Sequence, residues 1–426
     1  MPTRVAEVNL LSELAPIGRL GGYRRVWILV RVGRRPVGWV RLPRSLAGAE
    51  LSRQTLIDLV CNQLGMQVWE ALLSEPKQQA GFTPPISVIV CTREHPEQLE
   101  RQLKSLGELD YPNYEVVVVD NAPRTPRTGQ VCAKFEFVRH IVEPQPGLDY
   151  ARNTGWRSAR HGIVAYTDDD AVVDPHWLSG LARNYADPQV LCVTGLTVPM
   201  ELETPAQEFF EMYGGMGRGF RRREYRPGTW KLFYPLGSGC NMSIRRSFLE
   251  QHGGFDDALD TGSPTRGGGD LDMFAQVIKH GGKLVYEPLA ICRHQHRRTM
   301  AALRGQMFDY GYGFAAYLAK YEENDLELSN CAAALRRRWM KMWGWQRLWR
   351  NIKAKIRMRP SFPLDLIIRE MLGLVLGRRA YGRAAKRVQM RRRERETSAD
   401  SEPLAIGQPG PKLAGAGRAA SLRAQS

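Results

Sequence analysis

The chain has 426 residues, 43% of them hydrophobic and 25% charged, the composition of a globular protein with room for a catalytic domain and smaller attachments. Its formal net charge of +17 predicts an anionic partner such as nucleotide phosphates, nucleic acid or an acidic lipid surface. The seven cysteines, Cys61, Cys91, Cys132, Cys192, Cys240, Cys292 and Cys331, are odd in number and lack CxxC spacing, which argues against a disulfide framework and a structural zinc site. No apolar run reaches the roughly 20 residues that cross a bilayer. The nearest, Phe362 to Gly377, is short and holds Asp365, Arg369 and Glu370. With no signal-like pattern at the N-terminus, the expectation is a cytoplasmic protein whose membrane association, at the inner face, is peripheral.

Residues 1–80 begin with short apolar bursts (RVWILVRVGRRPVGWVRL) that predict a β-hairpin or small sheet, followed by helical spacing in LSRQTLIDLVCNQLGMQVWEALL. They form a small α+β accessory module with no legible chemistry. PKQQAGFTPP reads as a linker by its Pro, Gly and Gln content. From Pro85 the pattern alternates: ISVIVC as a buried strand, PEQLERQLKSLGEL as an amphipathic helix, YEVVVVD and FEFVRHIVE as strands, and DYARNTGWRSARHG as a helix closed by Gly162. The strand GIVAYT and the helix PHWLSGLARNYAD follow. Buried β-branched strands alternating with helices imply a mostly parallel α/β sheet covered on both faces, with its ligand crevice at the carboxyl ends of the strands. Asp120 and the trio Asp168, Asp169 and Asp170 end two of those strands and should share one rim.

A D-x-D at a strand end suits a divalent cation bridging phosphate oxygens, since hard cations prefer carboxylate oxygen. Asp168 and Asp170 fall on one side of an extended chain and Asp169 on the other; an acidic solvated loop is the plain alternative. Downstream, GSPTRGGGDLDMF places three glycines before Asp270 and Asp272, which open a helix. Gly268 and Gly269 would let a ligand approach the backbone, and Asp272 is grouped with them as substrate-contacting. Asp270 is either an N-cap or a general base beside that pocket. ICRHQHRR then carries His294 and His296, candidates for metal or diphosphate contact or simply polar surface.

These motifs, in this order, resemble the family 2 glycosyltransferases of GT-A fold, over about residues 85–320. PPISVIVCTREHPEQLERQLKSL resembles that family's first strand and helix, YEVVVVDNAP its second strand, PGLDYARNTG its Gly-x-x-x-Ala-Arg-Asn segment, YTDDDAVVDPHWL its D-x-D, and LGSGCNMSIRRSFLEQHGGFDDAL its acceptor-side segment. The resemblance implies that Thr92 and Asp120 contact the nucleoside, with Arg152 and Asn153 also on the substrate. It implies that Asp168 and Asp170 hold the diphosphate through Mn²⁺ or Mg²⁺, that His294 or His296 contacts the metal, and that Asp270 is the base. The family commonly has Glu-Asp where this chain has Gly269-Asp270, so one neighbouring acid is missing. No Gln-x-x-Arg-Trp motif of processive synthases is present, so the implied reaction is transfer of a single sugar, with inversion, from a nucleotide-diphosphate sugar (UDP favoured) to an acceptor hydroxyl in cell-envelope glycan synthesis.

After about residue 325 the composition changes, and residues 326–396 read as a basic helical extension. Residues 335–359 hold ten Lys or Arg and no acid. Leu335, Trp339, Met342, Trp345, Trp349, Ile352 and Ile356 recur at helical steps, so the segment reads as an interfacial helix on anionic lipid. A helix packed on the catalytic domain and a nucleic-acid patch are its alternatives, and no nucleic-acid partner is expected. Residues 397–426 are poor in apolar residues and read as a disordered tail. Two rival functions remain: a haloacid-dehalogenase-like phosphatase with Asp168 as nucleophile, and a non-catalytic membrane-surface scaffold that retains the fold.

Overall fold

The computed structural model describes residues 2–18, 20–42, 50–74, 82–213, 215–227, 236–325, 328–356 and 362–401. Most of the expected linker at 76–85, and the tail beyond 401, lie outside the described residues.

The N-terminal segment forms a three-stranded sheet, β1 (Thr3–Asn9), β2 (Arg25–Val32) and β3 (Arg35–Arg41). The last two are the hairpin read from sequence, joined by a two-residue turn in which Gly33 supplies the positive φ that such turns favour. Helix α1 (Arg53–Leu73) buries Leu56, Val60 and Leu64 at steps of four and closes a separate small core with Val26, Ile28, Val30 and Val40.

A second, nine-stranded sheet carries the rest of the elements. In chain order these are β4 (Ile86–Thr92), α2 (Pro96–Gly107), β5 (Tyr114–Asn121), α3 (Arg127–Cys132), β6 (Val138–Glu143), α4 (Leu148–Ser158), β7 (Ile163–Asp168) and β8 (Ala171–Val173). Then come α5 (Trp177–Ala182), β9 (Val190–Pro199), α6 (Pro205–Tyr213), β10 (Arg223–Tyr225), β11 (Asn241–Arg245), α7 (Arg246–His252), α8 (Gly269–Lys279) and β12 (Lys283–His294). The strand order is β10-β12-β9-β11-β7-β4-β5-β6, with β8 paired to β12. The β7-β4-β5-β6 half is parallel throughout, and β12 runs parallel to β9; β11, inserted between β7 and β9, is antiparallel to both. Both faces of the sheet are covered, as continuous apolar strands require. Val88 and Val90 join Leu99, Leu103 and Leu106 of α2 on one face, while Ile89 meets Trp156 of α4 and Phe274 of α8 on the other. Helix α4 ends at Ser158 rather than at Gly162, because Ala159 is already extended and the chain turns there into β7.

The C-terminal part is helical: α9 (Met300–Asn324), α10 (Ser329–Trp339), α11 (Gln346–Ile356), α12 (Leu364–Leu376) and α13 (Ala380–Ser401). Helix α13 continues through residues 397–401, so the helical part extends past the boundary expected at Glu396. The basic segment is not one continuous α-helix. A π-helical turn over Met340–Trp345 separates α10 from α11 and divides the predicted stripe, because a wider turn shifts the register of every following side chain. Leu335 packs on the Tyr317–Tyr321 cluster and Trp339 on Phe314, whereas Trp345, Trp349 and Ile356 are 53%, 58% and 76% exposed. Among the described residues, no helix is long and apolar enough to cross a membrane.

Candidate active site

Strand register brings the sequence-identified acids to one rim. Thr92 at the end of β4 lies opposite Asp120 at the end of β5, and Cys91 lies opposite Asp168 at the end of β7. The short β8 pairs back onto β12 with Ala171 opposite His294, and the Gln295 amide donates to the Asp170 carbonyl at 3.0 Å. His294 Nε2 therefore points at two carboxylates, 3.0 Å from Asp170 Oδ1 and 3.5 Å from Asp168 Oδ2.

The electrostatics of this trio favour a cation. Burial opposes charge on His294, but Asp170 and Asp168 outweigh it and hold the imidazole well above the ordinary histidine pKa. Burial likewise works against ionisation of Asp170, and His294 more than offsets it, so this carboxyl lies below its usual value. A ligand atom of Cys240, which no sequence motif singled out, falls with those of Asp168 and His294 within 4.8 Å of one another. The grouped donors are the Asp168 carboxylate, the imidazole and the thiol, and the Asp170 carboxylate meets the same imidazole nitrogen; carboxylate and imidazole suit Mn²⁺ or Mg²⁺, and the thiol is the one soft donor. Acidic oxygens that converge on one imidazole nitrogen concentrate negative charge at this point, so the residues present fit a divalent ion.

His296 is not part of this group. Its Nε2 lies 2.7 Å from Glu211 Oε1, and its ring meets Phe210 edge-on at 4.6 Å. Asp169 points away from Asp168 and Asp170, as alternation along an extended chain requires, and holds Thr92 and His95: Thr92 Oγ1 donates to its Oδ2 at 2.6 Å and His95 Nδ1 lies at 3.1 Å. The Thr92 hydroxyl is thus committed within the protein. Asp120 Oδ2 lies 3.5 Å from His140 Nε2; burial raises its pKa against the pull of His140. Its Oδ1 is buried, and Thr128 also hydrogen-bonds the carboxylate.

A second set of groups surrounds Asp270. Its Oδ2 accepts the Gly239 amide at 2.9 Å and its Oδ1 accepts the Leu271 amide at 2.8 Å. Burial and then Asp260 push its pKa up, while Arg152 pulls it down. The N-cap of α8 is Gly268, not Asp270, so the capping explanation for Asp270 does not hold. Arg152 is buried between Asp149 Oδ1 at 2.8 Å and Asp260 Oδ2 at 2.6 Å. The Asn153 amide is fully used inside the fold: it donates to the Phe255 carbonyl and Asp257, and accepts from the Phe255 amide and Trp156 Nε1.

Two further assignments change in the structure. Asp272 lies two residues after Asp270, about 200° around a helix, and faces away from it, receiving Lys320 Nζ at 2.8 Å and the Tyr321 hydroxyl at 2.9 Å. It fastens α8 to α9. Gly268 has φ +102° and a Cβ there would press on Tyr317 and the Gly313 carbonyl, while a Cβ on Gly269 would collide with the Asp149 carboxylate. These glycines admit protein neighbours. The acid absent at position 269 has a spatial counterpart in Asp149, which sequence order could not reveal.

Residues 87–253 match the family model described as Glycosyl transferase family 2. This segment belongs to that family. The family 2 segment contains the D-x-D, the Arg152 motif and Cys240; Asp270 and His294 follow it. The chain is 27% identical over 308 residues to the pre-mycofactocin glycosyltransferase of Mycobacterium tuberculosis, covering 70% of this chain and 62% of that relative. It is 28% identical over 182 residues to the glucosyl-dolichyl phosphate glucuronosyltransferase of Haloferax volcanii, covering 40% of this chain and 56% of that protein. The chain thus spans about 60% of the length of these curated relatives. A solved mannosyltransferase of Pyrobaculum calidifontis, in complex with GDP-Man and Mn²⁺, superposes with a TM-score of 0.47 at 19% identity, covering 75% of this chain and 97% of that one.

Proposed function

We propose that the protein is an inverting, metal-dependent glycosyltransferase that moves one sugar from a nucleotide-diphosphate sugar to an acceptor hydroxyl, lipid- or polysaccharide-linked, in cell-envelope glycan synthesis. The observation that carries this reading is the placement of two acid groups in one crevice of a family 2 chain. Asp168, Asp170 and His294 form a cation-favouring set, and Asp270 stands across the Gly239-Cys240 step from it.

Asp168, Asp170 and His294 would hold Mn²⁺ or Mg²⁺, and a bound ion supplies Lewis-acid neutralisation of a diphosphate leaving group. The chain's own residues do the remainder. Asp270 takes the proton from the acceptor hydroxyl as its oxygen attacks the anomeric carbon. The Gly239 and Leu271 amides fix the orientation of that carboxylate. Asp120, at the end of β5, receives a hydrogen bond from the nucleoside, for which UDP is the first candidate. Arg152, charged between two acids, holds the wall behind Asp270.

The C-terminal basic segment supports attachment to an anionic membrane face, which brings the enzyme to a lipid-linked acceptor; the name of the Haloferax relative, with its glucosyl-dolichyl phosphate, agrees with that acceptor class. The phosphatase alternative needs its nucleophile on the first strand of its domain, but Asp168 ends the fourth strand of this sheet in chain order, after β4, β5 and β6.

The test is sugar transfer from a panel of nucleotide-sugars with Mn²⁺, after a thermal-shift screen for the nucleotide. Asp170→Ala and Asp270→Ala should each lower turnover by roughly 10²-fold or more. Near-normal turnover in either purified variant overturns the assignment, and release of inorganic phosphate from the donor would point to a phosphatase.

A further inference from the structure

The π-turn, α10 and α12 line a half-open pocket of about 480 Å³ that shares no residue with the acid-lined rim. Four cations line it: Arg336 and Arg337 from α10, Lys341 from the π-turn, and Arg378 just past α12. Glu322 of α9 faces two of them, 2.8 Å from Arg336 and 3.3 Å from Arg378. Arg337 and Lys341 face no acid among the described residues and are exposed. One carboxylate against four cations leaves a concentrated positive charge, and like charges gathered at a cavity repel unless an anion joins them.

The rest of the wall is apolar and includes Trp345 and Val375, the latter 64% exposed. On the same two helices that follow the π-turn, α11 and α12, Trp349, Leu372 and Leu376 also stand in solvent. A soluble phosphate would account for the cations but leave these side chains unexplained. An anionic headgroup with acyl chains accounts for both, since tryptophan and aliphatic side chains settle at the membrane interface while arginine and lysine meet the phosphate.

We propose that this cavity is a binding site for the phosphate headgroup of an anionic phospholipid. It deepens the membrane-surface reading of residues 335–359 and rests on it. The headgroup sits between Arg337, Lys341 and Arg378, and the exposed apolar side chains enter the acyl boundary. Glu322 keeps Arg336 and Arg378 aimed inward before the lipid arrives. Glu322 lies on α9 two residues past Lys320, which holds Asp272 and Asp256.

The test uses the full chain with a monomeric short-chain phosphatidylglycerol, inorganic phosphate, and vesicles of phosphatidylcholine with or without phosphatidylglycerol. The lipid should raise the melting temperature saturably, and the protein should float only with the anionic vesicles. Arg337→Gln with Lys341→Gln should weaken lipid binding by roughly 25-fold, about fivefold per cation. Val375→Trp, which fills the cavity and keeps every charge, should abolish the saturable shift while the shift with nucleotide and Mn²⁺ persists, showing an intact fold. Unchanged lipid binding in Val375→Trp, with vesicle flotation retained, would overturn the cavity and leave the membrane reading standing. Absence of both lipid shift and flotation in the wild type would overturn both. Inorganic phosphate binding as tightly as the lipid would make the ligand a free anion and reject the lipid.

Discussion

The Gly239 amide donates to Asp270 at 2.9 Å, and the next side chain, Cys240, reaches the Asp168–His294 pair on the other side of the crevice. One peptide step therefore links the proposed base to the proposed cation set. A Cβ on Gly239 would stand 2.8 Å from Arg152 Nη2 and 3.1 Å from the Asp270 Cβ, so the Arg152 guanidinium must shift and Asp270 is crowded by a few tenths of an ångström. Gly239→Ala should lower turnover, by less than the roughly 10²-fold that about 1 Å of misplacement costs, with nucleotide affinity nearly unchanged. Steady-state kinetics with nucleotide titration separates the two; equal losses in both would mean that the turn shapes the donor site instead.

The pH dependence follows from the direction of the Asp270 shift. Burial and Asp260 raise its folded pKa above the value of about 3.9 seen in peptides. A base acts only when ionised, so turnover should fall with acid at a pH above that of an ordinary aspartate. For stability, a raised folded pKa means the native state favours the protonated form. That contribution is complete below the unfolded pKa and is lost as pH rises through the folded pKa. Asp270→Asn keeps an acceptor for Gly239 without the charge, so at neutral pH it should melt higher than the wild type while turning over far more slowly. A lower melting temperature would contradict the penalty that burial and Asp260 place on the ionised carboxylate.

Gly269 sits where a side chain would enter the space of the Asp149 carboxylate. Alanine improves helix propensity over glycine by about 1 kcal/mol. Overpacking a filled interior costs about 1–3 kcal/mol, and here the displaced group is a buried carboxylate paired with Arg152. The steric term should win, with Gly269→Ala destabilised in denaturant melts. Gly269→Ala combined with Asp149→Ala should recover part of that loss relative to Asp149→Ala alone. Simple additivity would mean that the two positions do not compete.

The sheet and its rim were legible because they rest on local patterns. Runs such as Val116–Val119 can only be buried strands, and acids placed directly after them must lie at the strand ends. What sequence could not supply was contact between distant segments. Cys240 joins Asp168 and His294 across the antiparallel insertion of β11, and Asp149 meets Gly269 through a fold 120 residues in chain separation. Motif order assigned Asn153, Thr92 and Asp272 to substrate, yet their partners are other protein groups, because polar side chains buried beside a crevice must first satisfy their own hydrogen bonds. The stripe of residues 335–356 is divided for a different reason: the π-turn adds one residue to a helical turn, with Leu335 packed before it and Trp345 and Trp349 exposed at its end and beyond.

The donors around His294 differ in softness, which makes metal preference a test of the set. The hydrogen bond with Cys292, and then burial, hold the Cys240 thiol well above its usual pKa, and a protonated sulfur is a poor ligand for hard Mn²⁺. Cys240→Ser should leave the Mn²⁺ concentration for half-activation nearly unchanged while weakening Zn²⁺ on the order of tenfold. Isothermal titration with both ions measures this. An equal loss for Mn²⁺ would make the thiol a ligand in its own right.

The N-terminal sheet is tied to the rim by a buried ion pair. Arg31 Nη1 lies 2.7 Å from Asp174 Oδ2, four residues beyond Asp170, and also meets Glu7 at 2.9 Å. Asp174 is buried, so removing its cation leaves a desolvated carboxylate, which costs about 3–5 kcal/mol. Arg293, next to His294, reaches 4.0 Å from the same carboxylate and would offset part of that cost by moving toward it. Arg31→Ala should therefore destabilise strongly, and the shift of Arg293 should draw β12 and weaken Mn²⁺ binding. Arg31→Ala with Asp174→Ala removes the unpaired charge and should recover much of the stability. If the double variant melts no higher than the single one, the pair is incidental to how the N-terminal sheet is held.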